Sequence, residues 1–250
     1  MNAGVVRVGD TVRRDTSAVS PTIHALLLHL EQQGFSASPR LLGIDEQGRE
    51  ILSFFDGETG IPNYIWQEDE PLVAAAKMLR AYHDATLDFV APASAQWGFS
   101  YPDRQRHEVI CHNDFAPYNF VYKDQLPYAL IDFDLAGPGP RLRDIAYAAY
   151  WMTPLSFHSD DMKGFAEADV KAQSRRLYLF CATYGVPVDR ALFDMIAEQL
   201  SFMGSERAMQ QVLGAEGAAK LKREGHLDHW QREAEAFQTH RLRLERAMVE

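Results

Sequence analysis

One stretch, residues 109–134, constrains the fold of this chain more than any other, because it sets polar residues at the ends of short apolar runs. The first run, Val109–Cys111, is β-branched and apolar, which predicts a buried strand. The segment 112–119 is too polar for a helix and is interrupted by Pro117. We therefore expect a polar loop that is held at both ends by strands.

A predicted β-hairpin completes this stretch. The runs 120–122 and 128–133 are rich in aromatic and β-branched residues, and a polar turn of ordinary length separates them. Such a hairpin folds Asp132 back toward Asp114 and Asn119. The chain thus brings two carboxylates and one amide to the same place.

The order H-x-D-x-x-x-x-N, hairpin, then D-F resembles the catalytic and metal-binding loops of protein kinases. This version is most similar to the aminoglycoside phosphotransferase and choline kinase family, which also includes peptide-toxin immunity proteins. In that family a further aspartate precedes small apolar residues, as Asp144 does here, and the resemblance runs from about Gly4 to Tyr150. It implies an α+β, protein-kinase-like two-lobed fold, with a small, truncated N-terminal antiparallel sheet plus one helix and a mainly helical C-terminal lobe.

The resemblance also implies roles for the residues of the catalytic loop, 112–119. Asp114 would be the base that orients the acceptor hydroxyl, and His112 would support the loop from inside. Asn119 and Asp132 would hold Mg²⁺, because amide and carboxylate oxygens are the hard ligands that this ion prefers.

Two further aspartates are candidates for supporting roles. Asp134 lies two residues beyond Asp132 in the predicted metal-binding strand end, 132–134, and shares its face if the strand continues. This position makes Asp134 a candidate second metal contact. By resemblance, Asp144 would anchor the catalytic loop through hydrogen bonds, which is a structural role.

The predicted nucleotide contacts lie earlier in the chain. Residues 4–14 form two short predicted strands around a Gly-Asp turn. By resemblance, Arg14 falls where the family has the cation that pairs with the α and β phosphates, although an exposed strand cation is the alternative. The backbone that binds adenine would be at Ser53, Phe54 and Phe55, where packing at a lobe boundary is the alternative.

Two departures from the family pattern concern this nucleotide site. Only three residues precede the first predicted strands, so the strand and loop that cover the phosphates are expected to be shortened or missing. In addition, His24 stands where the family helix offers a Glu to the phosphate-binding cation. A histidine supplies no permanent negative charge, so Asp15 and Glu31 become candidates to pair with Arg14.

The predicted domain organisation follows from these assignments. Residues 1–57 would form a shortened nucleotide-binding lobe, and residues 58–250 a helical lobe that carries the catalytic loop. The chain after Asp144 is predicted to be helical almost throughout. Acidic residues of this region that could face a cationic acceptor are Asp160, Asp161, Glu167, Asp169, Glu198 and Glu206.

The charge balance argues against two classes of partner. With 25 Lys and Arg against 35 Asp and Glu, the net charge of −10 disfavours nucleic acid and anionic membrane surfaces. No run approaches the roughly 18 apolar residues of a membrane span. The N-terminus lacks the features of a signal peptide, so we expect a cytoplasmic protein. Cys111 and Cys181 have no zinc-site or disulfide spacing and are expected to be buried.

The resulting hypothesis is a Mg²⁺-dependent phosphotransferase that moves the γ-phosphoryl group of ATP to a hydroxyl of a small molecule, which would be aminoglycoside-like, an amino alcohol or a sugar. One alternative is a catalytically weak, kinase-like nucleotide-binding or toxin-immunity protein, which the missing lid and His24 favour. A second is a metal-dependent hydrolase with ligands from residues 112, 114, 132 and 134. The hydrolase would leave Asn119 without a role.

Overall fold

The computed structural model describes residues 4–155 and 170–247, and over these residues the protein is α+β, with nine strands and eight helices of the α type. Two compact units can be distinguished by the contacts within each. The first comprises Met1–Gly60 with Lys77–Arg141, and the second comprises Ile61–Ala76 with Leu142–Glu250. The lobe boundary expected after residue 57 remains a prediction.

The main sheet of the first unit has four antiparallel strands in the order β1-β2-β4-β3. Its strands are β1 (Val6–Val8), β2 (Thr11–Arg14), β3 (Leu41–Ile44) and β4 (Glu50–Ser53). Gly9 makes the predicted turn between β1 and β2 with φ of 59°, a conformation that favours glycine. Helix α1 (Ser20–Gln32) buries an apolar stripe of Ile23, Leu26, Leu27 and Leu30, as its periodicity predicts.

The predicted hairpin is confirmed and belongs to a second sheet of the same unit. This sheet has the order β5-β7-β8, and a separate ladder pairs β6 with β9. The strands are β5 (Glu58–Thr59), β6 (Val109–Cys111), β7 (Phe120–Lys123), β8 (Leu126–Leu130) and β9 (Gly137–Gly139). The strand β5 was not predicted, because its two residues carry no alternating pattern.

The expectation that the second hairpin strand continues through residue 133 is wrong. Strand β8 ends at Leu130, Asp132 has a φ of 65°, and Phe133–Leu135 forms a 3-10 turn. A left-handed residue reverses the local direction of the chain, so Asp134 does not share a strand face with Asp132.

Over its described residues, the second unit is helical. Its elements are α2 (Tyr64–Gln67), the start of α3 (Glu70–Ala85), most of α4 (Arg141–Met152), α5 (Val170–Tyr184), α6 (Arg190–Met203), α7 (Glu206–Arg223) and α8 (His226–Ala247). Tyr150 donates a 2.7 Å hydrogen bond to the buried carboxylate of Glu233, which joins α4 to α8. The stacked rings of Phe193 and Phe237, with centroids 6.4 Å apart, join α6 to α8. Helix α7 was not predicted.

Cys111 and Cys181 are free thiols and both are buried, as predicted. Burial raises the pKa of the Cys181 thiol to about 12, with the nearby Asp189 adding to the effect, so this side chain behaves as a small apolar residue. Within 4–155 and 170–247, every helix is too short or too polar to cross a membrane.

Candidate active site

The loop after β6 is held in a compact shape by its own backbone and side chains. Asn113 adopts a φ of 65°, and its side-chain amide donates a 2.9 Å hydrogen bond to the carbonyl oxygen of Leu135. Pro117–Asn119 forms a 3-10 turn, which the sequence did not predict, and the N–H of Asn119 bonds to Ala116 at 2.9 Å. The N–H of Ile131 bonds to the carbonyl oxygen of Asn119 at 2.9 Å. These bonds fix the loop against the segment that carries Asp132.

Asp114 receives a hydrogen bond at each carboxylate oxygen. The Tyr118 hydroxyl donates to Oδ1 at 2.5 Å, and the Asn119 amide donates to Oδ2 at 2.8 Å. Burial raises the pKa of Asp114, while the hydrogen bond from Tyr118, the charge of His112 and the hydrogen bond from Asn119 act in the opposite direction. A carboxyl group with a raised pKa and fixed neighbours is suited to accept a proton from a substrate hydroxyl.

His112 lies inside the loop and is fully buried. Its Nε2 is 3.1 Å from the carbonyl oxygen of Ile131, and its ring packs edge-on against Phe133 with centroids 4.8 Å apart. These contacts are consistent with the expected role of His112, which is to support the catalytic loop from inside. They also turn the imidazole into the core, which removes a ligand that the metal-dependent hydrolase would need.

Asn119 and Asp132 are brought together on one cavity, as the hairpin predicts. The Asn119 Nδ2 group is directed to Asp114, which leaves Oδ1 of the same amide for a cation. The Asp132 side chain is 41% exposed and lines the same cavity. One amide oxygen and one carboxylate are hard donors, so this pair fits Mg²⁺.

Arg14 and Asp134 meet in the same region. The Arg14 guanidinium donates to both oxygens of the Asp134 carboxylate, at 2.6 and 3.2 Å, and lies 3.7 Å from Asp132. Burial alone would lower the pKa of Arg14, but the carboxylates of Asp134 and Glu50 outweigh it and raise the pKa. Asp134 therefore binds Arg14 in this structure, rather than pointing away along a strand.

Glu50 is the buried acid that pairs with Arg14, and sequence reasoning missed it. Its side chain is 1% exposed, it accepts a hydrogen bond from Arg14 Nε, and its second oxygen lies 2.5 Å from His24 Nε2. The expectation that Asp15 or Glu31 supplies this acid is wrong, and Glu31 instead lies 3.4 Å from Arg40. In the β2–β4 register, Arg14 stands directly opposite Glu50, so the acid comes from the adjacent strand instead of from α1. The sequence signal that could have identified this acid is the position of Glu50 as the first residue of a strand that continues with apolar residues.

A cavity of about 640 Å³ opens beside these residues, entirely within the first unit. Its walls are mostly apolar with a few polar side chains among them, which is typical of a small-molecule site. Phe54 and Phe55 line it, but Ser53 does not, because its backbone and hydroxyl bond to Arg40 across the sheet. The expectation that the backbone of these residues binds adenine remains a prediction. The guanidinium of Arg7 lies 3.7 Å from the centroid of the Phe54 ring, and this cation was also missed.

The remaining predicted site residues, which are the loop anchor Asp144 and the acidic residues that could face a cationic acceptor, lie in the second unit or outside the described residues. Asp144 is fully buried in α4, and its role as an anchor of the catalytic loop remains a prediction. Glu206 is bound to Lys222 at 2.7 Å on the helical surface. The candidates that lie outside the described residues are Asp160, Asp161, Glu167 and Asp169.

The fold and this site define a class of protein, the protein-kinase-like small-molecule phosphotransferases, and the comparisons with known proteins agree. Residues 67–180 match the model of the phosphotransferase enzyme family, APH. Together with the relative described next, this match shows that the chain belongs to the aminoglycoside phosphotransferase family. The trifolitoxin immunity protein of Rhizobium leguminosarum bv. trifolii is 34% identical over 186 residues, which cover 73% of this chain and 70% of that protein.

Solved structures of kinases share the fold. The amicoumacin kinase hAmiN, in complex with AMP-PNP, Ca²⁺ and its ligand Ami, aligns with a TM-score of 0.58 at 14% identity, over 91% of this chain and 89% of that one. The gentamicin complex of APH(2")-IIa also aligns with a TM-score of 0.58, at 13% identity, over 94% of this chain and 92% of that one. The predicted α+β, protein-kinase-like fold is thereby confirmed.

Proposed function

We propose that this protein transfers the γ-phosphoryl group of ATP to a hydroxyl of a small molecule, in a reaction that depends on Mg²⁺. The observation that carries the proposal is the convergence of Arg14, Asn119 and Asp132 on one cavity, with Asp114 bonded to Asn119 at 2.8 Å. Family membership and the nucleotide analogue held by a kinase of the same fold support it. The acceptor class, an amino alcohol, a sugar or an aminoglycoside-like compound, is taken from the family.

The charges of the site residues suggest a role for each of them in the proposed reaction. Arg14 would bind the nucleotide phosphates, and Glu50 would orient the Arg14 guanidinium by accepting a hydrogen bond from Nε. Asp114 would accept the proton of the attacking hydroxyl, and Asn119 would hold the base in place while offering Oδ1 to the metal. When bound by Asn119 and Asp132, Mg²⁺ would supply electrostatic stabilisation of the phosphate charge. Arg14 would have to exchange the Asp134 carboxylate for phosphate as the nucleotide enters.

Calorimetric titration of ATP tests this function directly. Binding to the wild type is expected to require Mg²⁺ and to be lost in Asp132→Ala, because the variant lacks a charged metal ligand. Asp88→Ala is a matched control, since Asp88 is an exposed carboxylate of the same unit that does not line the cavity. Equal ATP affinity with and without Mg²⁺, or retained turnover in Asp132→Ala, would contradict the proposal.

A second candidate function is immunity to a toxin without appreciable turnover. It is favoured by one observation, the 34% identity to the trifolitoxin immunity protein. Intact Asp114 and Asn119 oppose it, because a protein that only binds has little use for an ordered base. The two functions differ in ADP production. A chain that binds ATP with Mg²⁺, and forms no ADP with any acceptor of the three classes, would support immunity.

A further inference from the structure

Tyr118 belongs to the catalytic loop but has no role in the proposed reaction. Its hydroxyl donates a hydrogen bond to Oδ1 of Asp114 at 2.5 Å, which is at the short end of the range for a hydroxyl bound to a carboxylate. In the proposed reaction a substrate hydroxyl has to make this same bond. The phenol of Tyr118 thus stands in the chemical position of an acceptor.

The position of Tyr118 also gives it access to the phosphate site. Its side chain lines the cavity with Arg14, Asn119 and Asp132, which are the proposed phosphate-binding and metal-binding residues. Thr59 is the other hydroxyl-bearing residue on the cavity wall within the described chain, and it is not bonded to Asp114. Tyr118 therefore combines the two properties of an acceptor, contact with the base and exposure to the cavity.

The phenol of Tyr118 loses its proton more easily than an aliphatic alcohol does. A tyrosine hydroxyl has a pKa of about 10, far below that of an aliphatic alcohol, so Asp114 removes its proton more readily. The hydroxyl is also held in place by the loop, and a positioned intramolecular group reacts as if it were present at very high concentration.

We propose that Tyr118 is an internal phosphoryl acceptor, which becomes phosphotyrosine when ATP is bound and the small-molecule acceptor is absent. This inference rests on the proposed function. The Oη lone pair attacks the γ-phosphorus, and an Oη–P bond forms. The bond from the γ-phosphorus to its bridging oxygen breaks, its electron pair leaves with ADP, and the phenolic proton passes to Asp114. Each chain takes one phosphoryl group, because the product covers the base.

Intact-mass measurement of the whole chain, incubated with ATP and Mg²⁺ and no added acceptor, tests this inference. We expect a gain of one phosphoryl group per chain, at a first-order rate that does not depend on protein concentration. Tyr118→Phe should remove the gain. Tyr128→Phe is the matched control, since Tyr128 does not line the cavity and its hydroxyl donates to the backbone of Asp56 rather than to Asp114, and this variant should keep the gain.

Peptide mapping of the labelled wild type locates the phosphate without relying on how any variant folds. A phosphate on Tyr118 supports the inference, and a phosphate on another residue overturns it. ATP binding and ADP are measured in the same samples, so that two failures can be told apart. ADP formation with an unmodified Tyr118 overturns the internal acceptor and leaves the phosphotransferase standing. Absence of ATP binding overturns both.

Discussion

Asp114 is the residue whose chemistry depends most on its surroundings. Its raised pKa means that, between the ordinary value of 3.8 and the raised one, the folded protein holds a proton that the unfolded chain has released. Stability from this group is therefore present at low pH and is lost as the pH rises through that interval. Catalysis has the opposite requirement, because the base has to be ionised.

Replacing Asp114 with Asn should separate these two effects. The variant is expected to be inactive, yet more stable than the wild type at a pH above the raised pKa, because it carries no buried charge. Thermal unfolding of both proteins at mildly acidic and mildly alkaline pH measures this difference, which should grow with pH. A difference that is constant with pH would contradict the raised pKa.

Glu50 holds a buried carboxylate between Arg14 and His24. Glu50→Gln removes the buried charge that faces Arg14 and His24, so it should lower the free energy of unfolding by about 2 kcal/mol and weaken ATP binding about tenfold. Chemical unfolding and calorimetric titration give the two values. Glu46→Gln is the control, because Glu46 is exposed in the neighbouring turn. Unchanged ATP affinity in Glu50→Gln would assign the acid a role in stability alone.

At the scale of elements, the segment after β8 is positioned by a neighbouring loop. Gly98 packs so closely on this segment that a Cβ atom would collide with the backbone of Asp134 and lie 2.7 Å from the Cα of Leu135. A glycine is therefore required where the two backbones meet. Through this contact the loop holds the part of the chain that carries the predicted metal ligand Asp132.

Gly98→Ala should disturb the metal site without changing any ligand. The variant is expected to lose about 2 kcal/mol of stability through overpacking. The Mg²⁺ concentration needed for ATP binding should also rise, because the segment that carries Asp132 has to move. Titration of Mg²⁺ at fixed ATP measures the shift. Ser100→Ala, an exposed position two residues further on, is the control. If both variants bound Mg²⁺ like the wild type, the loop would have no influence on the site.

At the scale of the whole molecule, every residue assigned to nucleotide or metal binding lies in the first unit. ATP with Mg²⁺ should therefore slow amide hydrogen exchange in that unit. The free energy of opening should rise by up to about 2.7 kcal/mol at a ligand concentration of a hundred times Kd. The helices α6 and α8 should exchange at their original rates. Exchange followed by mass spectrometry resolves the two units, and equal protection in α6 and α8 would count against a site confined to the first.

Much of this molecule follows from local pattern in the sequence. The loop 112–119, the hairpin after it and the apolar stripe of α1 are each encoded by neighbouring residues, through strand alternation, turn chemistry and helical period. The same patterns led to the family, and hence to Asp114, Asn119 and Asp132. Helix α7 was not predicted from the sequence, because its apolar residues form no consistent face and two glycines interrupt it.

Other features depend on contacts between residues far apart in the chain. The pairing of Arg14 with Glu50 is set by the register between β2 and β4, and the meeting of Arg14 with Asp134 is set by the left-handed turn at Asp132. Local preference selects strands, helices and turns, because these interactions join near neighbours. Which carboxylate faces a given cation depends on how those elements pack, and only the tertiary structure decides it.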